Sequence, residues 1–163
     1  MQKYPDLWRA QLIERSERQM SLPPSLKSAM TPFPYSVEVT APLRKAQQLM
    51  QEHAVRHLPV EDGHGLVGII TSRDITAKLA VHTDQEVRNE LTVKDALAED
   101  VYVVDLNEPL DNVLLTMAER HIGSVIVTRR GKLAGVFTSV DACRSFGKYL
   151  QENFPHSQGD DAA

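Results

Sequence analysis

The chain carries a single cysteine, Cys143, so no intrachain disulfide can form, which fits a reducing compartment. Long hydrophobic runs are missing too: stretches such as Leu66 to Ile70 fall far short of the ~20 residues a membrane span needs. The first twenty residues include Asp6, Glu14 and Glu17 and hold no apolar segment, so no secretory leader is expected there. A cytoplasmic protein without membrane contact is the expectation. Positive charge is not in excess: a net charge of −4 and a pI near 5.8 disfavour a broad phosphate-backbone footprint and leave room only for local basic pockets. No nucleophile stands with a base, and no two carboxylates are placed for acid–base work, so no catalytic residue is assigned and no enzyme is expected. His53 and His57 are four apart, a spacing that can hold zinc on a helix. The helix should end near Ala54, however, and no third ligand is suitably spaced, so no metal site or cofactor is expected.

What is present is self-similarity. Gly68-Ile69-Ile70-Thr71-Ser72-Arg73-Asp74 returns as Gly135-Val136-Phe137-Thr138-Ser139-Val140-Asp141, 67 positions later. The same offset, without gaps, pairs Lys27 with Lys94, Ala29 with Ala96, Tyr35 with Tyr102, Pro42-Leu43 with Pro109-Leu110 and Met50 with Met117. Fourteen of the 56 positions from Ser25 to Ala80 are identical to their partners. Repetition at a fixed period outranks local signals in deciding architecture. A unit of this size buries too little surface alone, so two copies should cover each other's sheets about a pseudo-twofold axis.

The organisation follows. Residues 1–24 form an N-terminal extension whose Leu7, Trp8, Leu12, Ile13 and Met20 make a rough helical stripe stopped by Pro23-Pro24. It is expected to pack on its own module or cross to a dimer mate, with docking of another protein as the other reading. The first repeat covers 25–80, a connector 81–91, the second repeat 92–148, and a flexible tail 149–163. Each repeat reads as a short extended piece (Val37–Val39, Val101–Val104), a helix (42–54, 109–121), two strands and a second helix. Leu43, Ala46, Leu49 and Met50 mark the apolar face of the first helix. The fold class is α/β (α+β), two repeats each with a small sheet flanked by helices. Cys143 falls in the last helix, where a buried, inert thiol is expected.

The chemistry lies in the strand–Thr-Ser-x-Asp–helix junctions. A helix start leaves backbone N–H groups free and attracts phosphate, and the hydroxyls of Thr71, Ser72, Thr138 and Ser139 add donors. A carboxylate there, Asp74 or Asp141, suits two vicinal hydroxyls, as on a ribose. Thr-x-x-Asp also reads as a helix capping box, and duplication would copy a cap as readily as a site.

The order Ala29-Met30, Pro42, Arg56-His57-Leu58-Pro59-Val60 and Gly68-x-x-Thr71-x-x-Asp74 resembles a cystathionine-β-synthase (CBS) domain. The second repeat is similar, so residues 25–148 resemble a free-standing tandem pair, or Bateman module. The resemblance implies that adenosine derivatives (AMP, ADP, ATP or S-adenosylmethionine) bind in the cleft between the repeats, and that the chain forms a homodimer and regulates an unknown protein partner. Carried over by position, it places Asp74 and Asp141 on ribose, and Thr71, Thr138 and Arg73 on phosphate. Tyr35 and Tyr102 would stand against adenine. Val55, Arg56 and His57, with Ile122, Gly123 and Ser124, would close the pockets. Because Arg56, His57 and Arg73 all belong to the first repeat, two unequal sites are expected, the copy holding them favouring more phosphates. With extensions of only about 24 and 13 residues, output should pass through a partner or the dimer. The alternatives are a structural dimerisation module with vestigial clefts and, disfavoured by net acidity, a nucleic-acid-binding module.

Overall fold

A computed structural model describes residues 22–97 and 101–154. The stripe from Leu7 to Met20 and the tail from Pro155 lie outside the described residues. Seven strands and six helices follow in order: α1 (Leu26–Ala29), β1 (Thr31–Pro32), β2 (Val37–Glu38), α2 (Leu43–Glu52), β3 (His57–Glu61), β4 (Leu66–Thr71), α3 (Ser72–Ala80), α4 (Gln85–Glu90), a 3-10 turn (Val93–Ala96), β5 (Val103–Asp105), α5 (Leu110–Glu119), β6 (Ser124–Arg129), β7 (Lys132–Thr138) and α6 (Ser139–Asn153). α6 runs five residues into the segment read as tail, since Tyr149 to Asn153 lack any helix breaker.

The duplication is visible in detail. β2 pairs parallel to β3 and β3 antiparallel to β4, in the order β2-β3-β4; the second sheet repeats it as β5-β6-β7, with β1 added beyond β7. Each hairpin carries a bulge at the equivalent place, between Val60 and Glu61 and between Val127 and Thr128. Pro42 and Pro109 precede α2 and α5, where a missing N–H costs nothing. Both helices end alike: Ala54 (φ 52°) and His121 (φ 53°) adopt left-handed backbone, and the N–H groups of Val55 and Ile122 donate to the carbonyls of Met50 and Met117. These are Schellman closures built without glycine. They reverse the chain so that β3 and β6 start at the boundary between the repeats.

The repeats exchange their leading segments. Leu26 of α1, fully buried, packs with Val104, Val113, Met117, Val125, Val127 and Phe137 of the second repeat. β1 adds antiparallel to β7, Thr31 opposite Val136. Reciprocally, Leu91 and Val93 complete the core formed by Val37, Leu43, Ala46, Met50, Leu58, Val60, Ile70 and Ile75. The Val93 and Lys94 N–H groups donate to the carbonyls of Ala41 and Val39. The two sheets meet through Ile69, Ile126 and Val136. The motif glycines serve this exchange. A Cβ on Gly68 would lie 2.7 Å from Leu97 Cδ1, and one on Gly135 would lie 2.8 Å from the Thr31 carbonyl oxygen. Each glycine thus admits the segment arriving from the other repeat.

Candidate functional site

A cavity of about 660 Å³ opens where the exchanged segment crosses the repeat boundary, within the range usual for small-molecule sites. Three pieces of chain build it: Thr31 to Tyr35, His53 to Leu58 behind the Schellman closure, and the start of α6 with Thr138, Val140, Asp141 and Arg144. Since β1 lies on β7, the peptide after α1 passes directly over the second repeat's motif before entering the first repeat.

Both motifs form reciprocal capping boxes. The Thr71 N–H donates to Asp74 Oδ2 at 2.8 Å and the Asp74 N–H to Thr71 Oγ1 at 3.2 Å. The Thr138 N–H donates to Asp141 Oδ2 at 3.0 Å, and the Thr138 hydroxyl donates to the same oxygen at 2.6 Å. Asp141 is nonetheless more deeply held than Asp74: it is the one buried charged residue among those described, 6% exposed. A carboxylate that far from water must be well partnered, and Arg144 supplies the remaining partner, donating from Nη1 to Asp141 Oδ1 at 2.9 Å.

The aromatic wall is also duplicated and also unequal. Tyr35 stacks on His53, ring centroids 3.5 Å apart and planes within 8°. At the equivalent place the Arg120 guanidinium lies 5.4 Å from the centre of the Tyr102 ring. Tyr35 is 55% exposed and lines the cavity, whereas Tyr102 packs against the second core. A planar, half-open ring beside a buried carboxylate suits a ligand with a flat base and a polar sugar.

His57 stands between the two motifs. It pairs with Thr71 across the β3–β4 ladder and lines the cavity that contains Asp141. Burial pulls its pKa below the ordinary 6.5, against the opposing pull of Asp74. A depressed folded pKa means that the unfolded chain takes up this proton first as acid is added. The His57 contribution is therefore intact above pH 6.5 and is lost as pH falls through the lower folded value. The thermal midpoint should drop more between pH 7 and 5.5 in the parent than in His57→Gln; parallel profiles would contradict this.

The structure thus brings together six of the residues singled out from sequence: Tyr35, Val55, Arg56, His57, Thr138 and Asp141. Thr71, Arg73, Asp74, Tyr102, Ile122, Gly123 and Ser124 do not line this cavity. Of the trio Arg56, His57 and Arg73, the first two line this cavity together with the start of α6, while His57 also feels the charges of Asp74 and Arg73 of its own repeat. Arg73 is exposed on α3. Ser124 pairs with Thr138 at the start of β6. The Gly123 carbonyl accepts from both the Ser139 N–H (3.0 Å) and the Ser139 hydroxyl (3.1 Å), which commits that hydroxyl's proton to the backbone. Cys143 is exposed, contrary to expectation, because it lies two residues beyond inward-facing Asp141, on the opposite side of α6. Sequence reasoning passed over Arg144, although an Arg three residues after an Asp on a helix is a readable pair. Among the described residues no helix is long and apolar enough to cross a membrane, and no group of three or more His, Cys, Asp or Glu gathers as metal ligands.

A duplicated α/β unit whose copies trade segments around a shared cleft defines the class. Residues 26–81 and 93–148 each match the CBS domain, and the chain belongs to that family as a tandem pair. It is 34% identical over 114 residues to hypoxic response protein 1 of Mycobacterium tuberculosis, covering 69% of this chain and 78% of that protein. It is 32% identical over 124 residues to the L-aspartate semialdehyde sulfurtransferase of Methanocaldococcus jannaschii, covering 75% of this chain but only 23% of that enzyme. Among solved structures, a CBS domain pair in complex with 5'-methylthioadenosine and S-adenosyl-L-methionine superposes with a TM-score of 0.68 at 30% identity, over 78% of this chain and 98% of that one.

Proposed function

We propose that the chain is a regulatory ligand-sensing module, without catalytic activity, that binds an adenosine derivative (AMP, ADP, ATP or S-adenosylmethionine) in the cavity between the repeats. The observation that carries this reading is the meeting of buried Asp141 with half-open Tyr35 and cationic Arg56 in one cavity formed from both repeats. Asp141 receives the ribose, Tyr35 and the Val55–His57 strand start bound the base, and Arg56 meets phosphate. Asp74, with Thr71, Arg73, Tyr102 and Ile122 to Ser124, forms the corresponding second site. The related pair solved with methylthioadenosine and S-adenosylmethionine supports the ligand class.

Because the ligand touches both repeats, its binding biases how they sit together, and that bias is the signal. It passes to a second copy or to a protein partner. Phe146 and Leu150 on α6, with Phe154 just beyond its end, are exposed and offer an apolar patch for a homodimer; a monomer in sedimentation equilibrium would remove that element.

The test is calorimetric titration with AMP, ADP, ATP and S-adenosylmethionine, stoichiometry read per chain. Saturable binding with one ligand preferred is expected. No heat from folded protein free of co-purified nucleotide would overturn the reading in favour of a structural dimerisation module.

A further inference from the structure

The two motif carboxylates are not equivalent acceptors, and the difference is Arg144. Asp141 Oδ2 already accepts from the Thr138 N–H and hydroxyl, and Oδ1 accepts from Arg144 Nη1 at 2.9 Å. The residue 67 positions before Arg144 is Ala77, which has no polar side chain, so Asp74 lacks this partner. The pair is also asymmetric in exposure: the Arg144 side chain is 59% exposed and that of Asp141 is 8% exposed. A solvent-exposed cation therefore covers a buried anion on the cavity wall. Arg144 and Asp141 also line an adjoining groove of about 560 Å³, which gives the guanidinium room to move.

Resting on the ribose assignment above, we infer that Arg144 makes the Asp141 site select nucleotides over nucleosides. A ribose diol asks for two acceptor positions on one carboxylate. Oδ2 is filled by Thr138 and Oδ1 is shared with Arg144, so the diol competes with the guanidinium. A neutral nucleoside has nothing to offer Arg144 in exchange, and displacing it would leave a charge without its partner. A phosphate-bearing ligand does offer an exchange. The guanidinium moves from Oδ1 to the phosphate, where its planar fork makes paired charge-assisted bonds, and Oδ1 passes to the ribose. The Thr138 hydroxyl cannot take over that phosphate role while its proton is committed to Asp141. Arg56 provides a second cation on the wall built by the first repeat. Arg144 is thus a specificity residue whose presence ties ribose binding to phosphate binding.

The experiment compares adenosine with AMP, which differ by one phosphate, in the parent, Arg144→Ala and Arg144→Gln. The parent should prefer AMP by about tenfold or more, the yield of one good charge-assisted contact. In both variants adenosine should bind as well as in the parent or tighter, AMP should weaken, and the preference should fall by about fivefold or more, with Arg56 carrying what remains. Opposite changes for the two ligands are not expected of a merely structural residue. An unchanged AMP-to-adenosine ratio, or equal loss of both ligands, would overturn the inference, as would a parent that binds both equally. A parent that binds neither would overturn the functional reading and this inference with it.

Discussion

Asp141→Ala is expected to weaken adenosine-nucleotide binding in the main cavity by about a hundredfold or more. Hydrogen bonds to a charged group contribute about 1.5–3 kcal/mol each, and a ribose diol would make two; 1.4 kcal/mol is a factor of ten in affinity. Alanine also removes the carboxylate half of the α6 capping box and leaves Arg144 without its ion-pair partner. Loss of such a cap costs about 0.5–2 kcal/mol of stability. That cost is below the 5–15 kcal/mol typical of a folded domain, so the variant should remain folded. Asp141→Asn separates the two effects: it retains an oxygen for the Thr138 N–H but loses the charge and one acceptor. Titration paired with a thermal melt reads both quantities. Parent-like affinity in a folded Asp141→Ala protein would remove the ribose assignment.

The second large effect concerns the exchange of segments. Leu26 is only 1% exposed, yet its surroundings are Val104, Val113, Met117, Val125, Val127 and Phe137, all from the other repeat. Leu26→Ala should cost about 2–5 kcal/mol, the range for emptying a leucine site in a core that relaxes incompletely. The chemical-denaturation midpoint should fall with little change in the slope. Ligand affinity should fall as well, because Leu26 anchors the segment that carries Thr31 to Tyr35 across the cavity. A stability loss below about 1 kcal/mol would mean that α1 does not dock on the second repeat.

Local signals in the sequence reveal one part of this architecture, and long-range packing decides another. The β–α–β–β–α order was legible because hydrophobic periodicity, Pro42 and Pro109, and the Thr-x-x-Asp caps are local signals, and each occurs twice. Thr71 and Thr138 do cap α3 and α6, as their spacing indicates. The exchange was not legible. Lys27, Ala29, Lys94 and Ala96 show that two segments are alike, but identical segments can dock in either of two identical places. Only long-range packing, such as Leu26 on Phe137 and Val93 on Val60, chooses between them. For the same reason the cavity draws Arg56 and His57 from one repeat and Thr138 and Asp141 from the other, a combination that neither repeat displays alone. Arg144 escaped notice because it has no counterpart at the equivalent position, and a search by repetition is blind to residues that only one copy carries. The exposure of Cys143 follows from the α6 helical phase set by buried Asp141, which becomes clear only once that carboxylate is known to face inward.

In the proposed binding mode a single ligand is held by residues of both repeats. Amide chemical-shift mapping during titration with AMP tests it most directly, since it reports every contributing segment at once. The account predicts that Tyr35, the stretch from Val55 to His57, and the α6 start from Thr138 to Arg144 shift together along one saturable curve. Shifts confined to one repeat, or saturable binding that leaves Asp141 and Tyr35 unmoved, would contradict it.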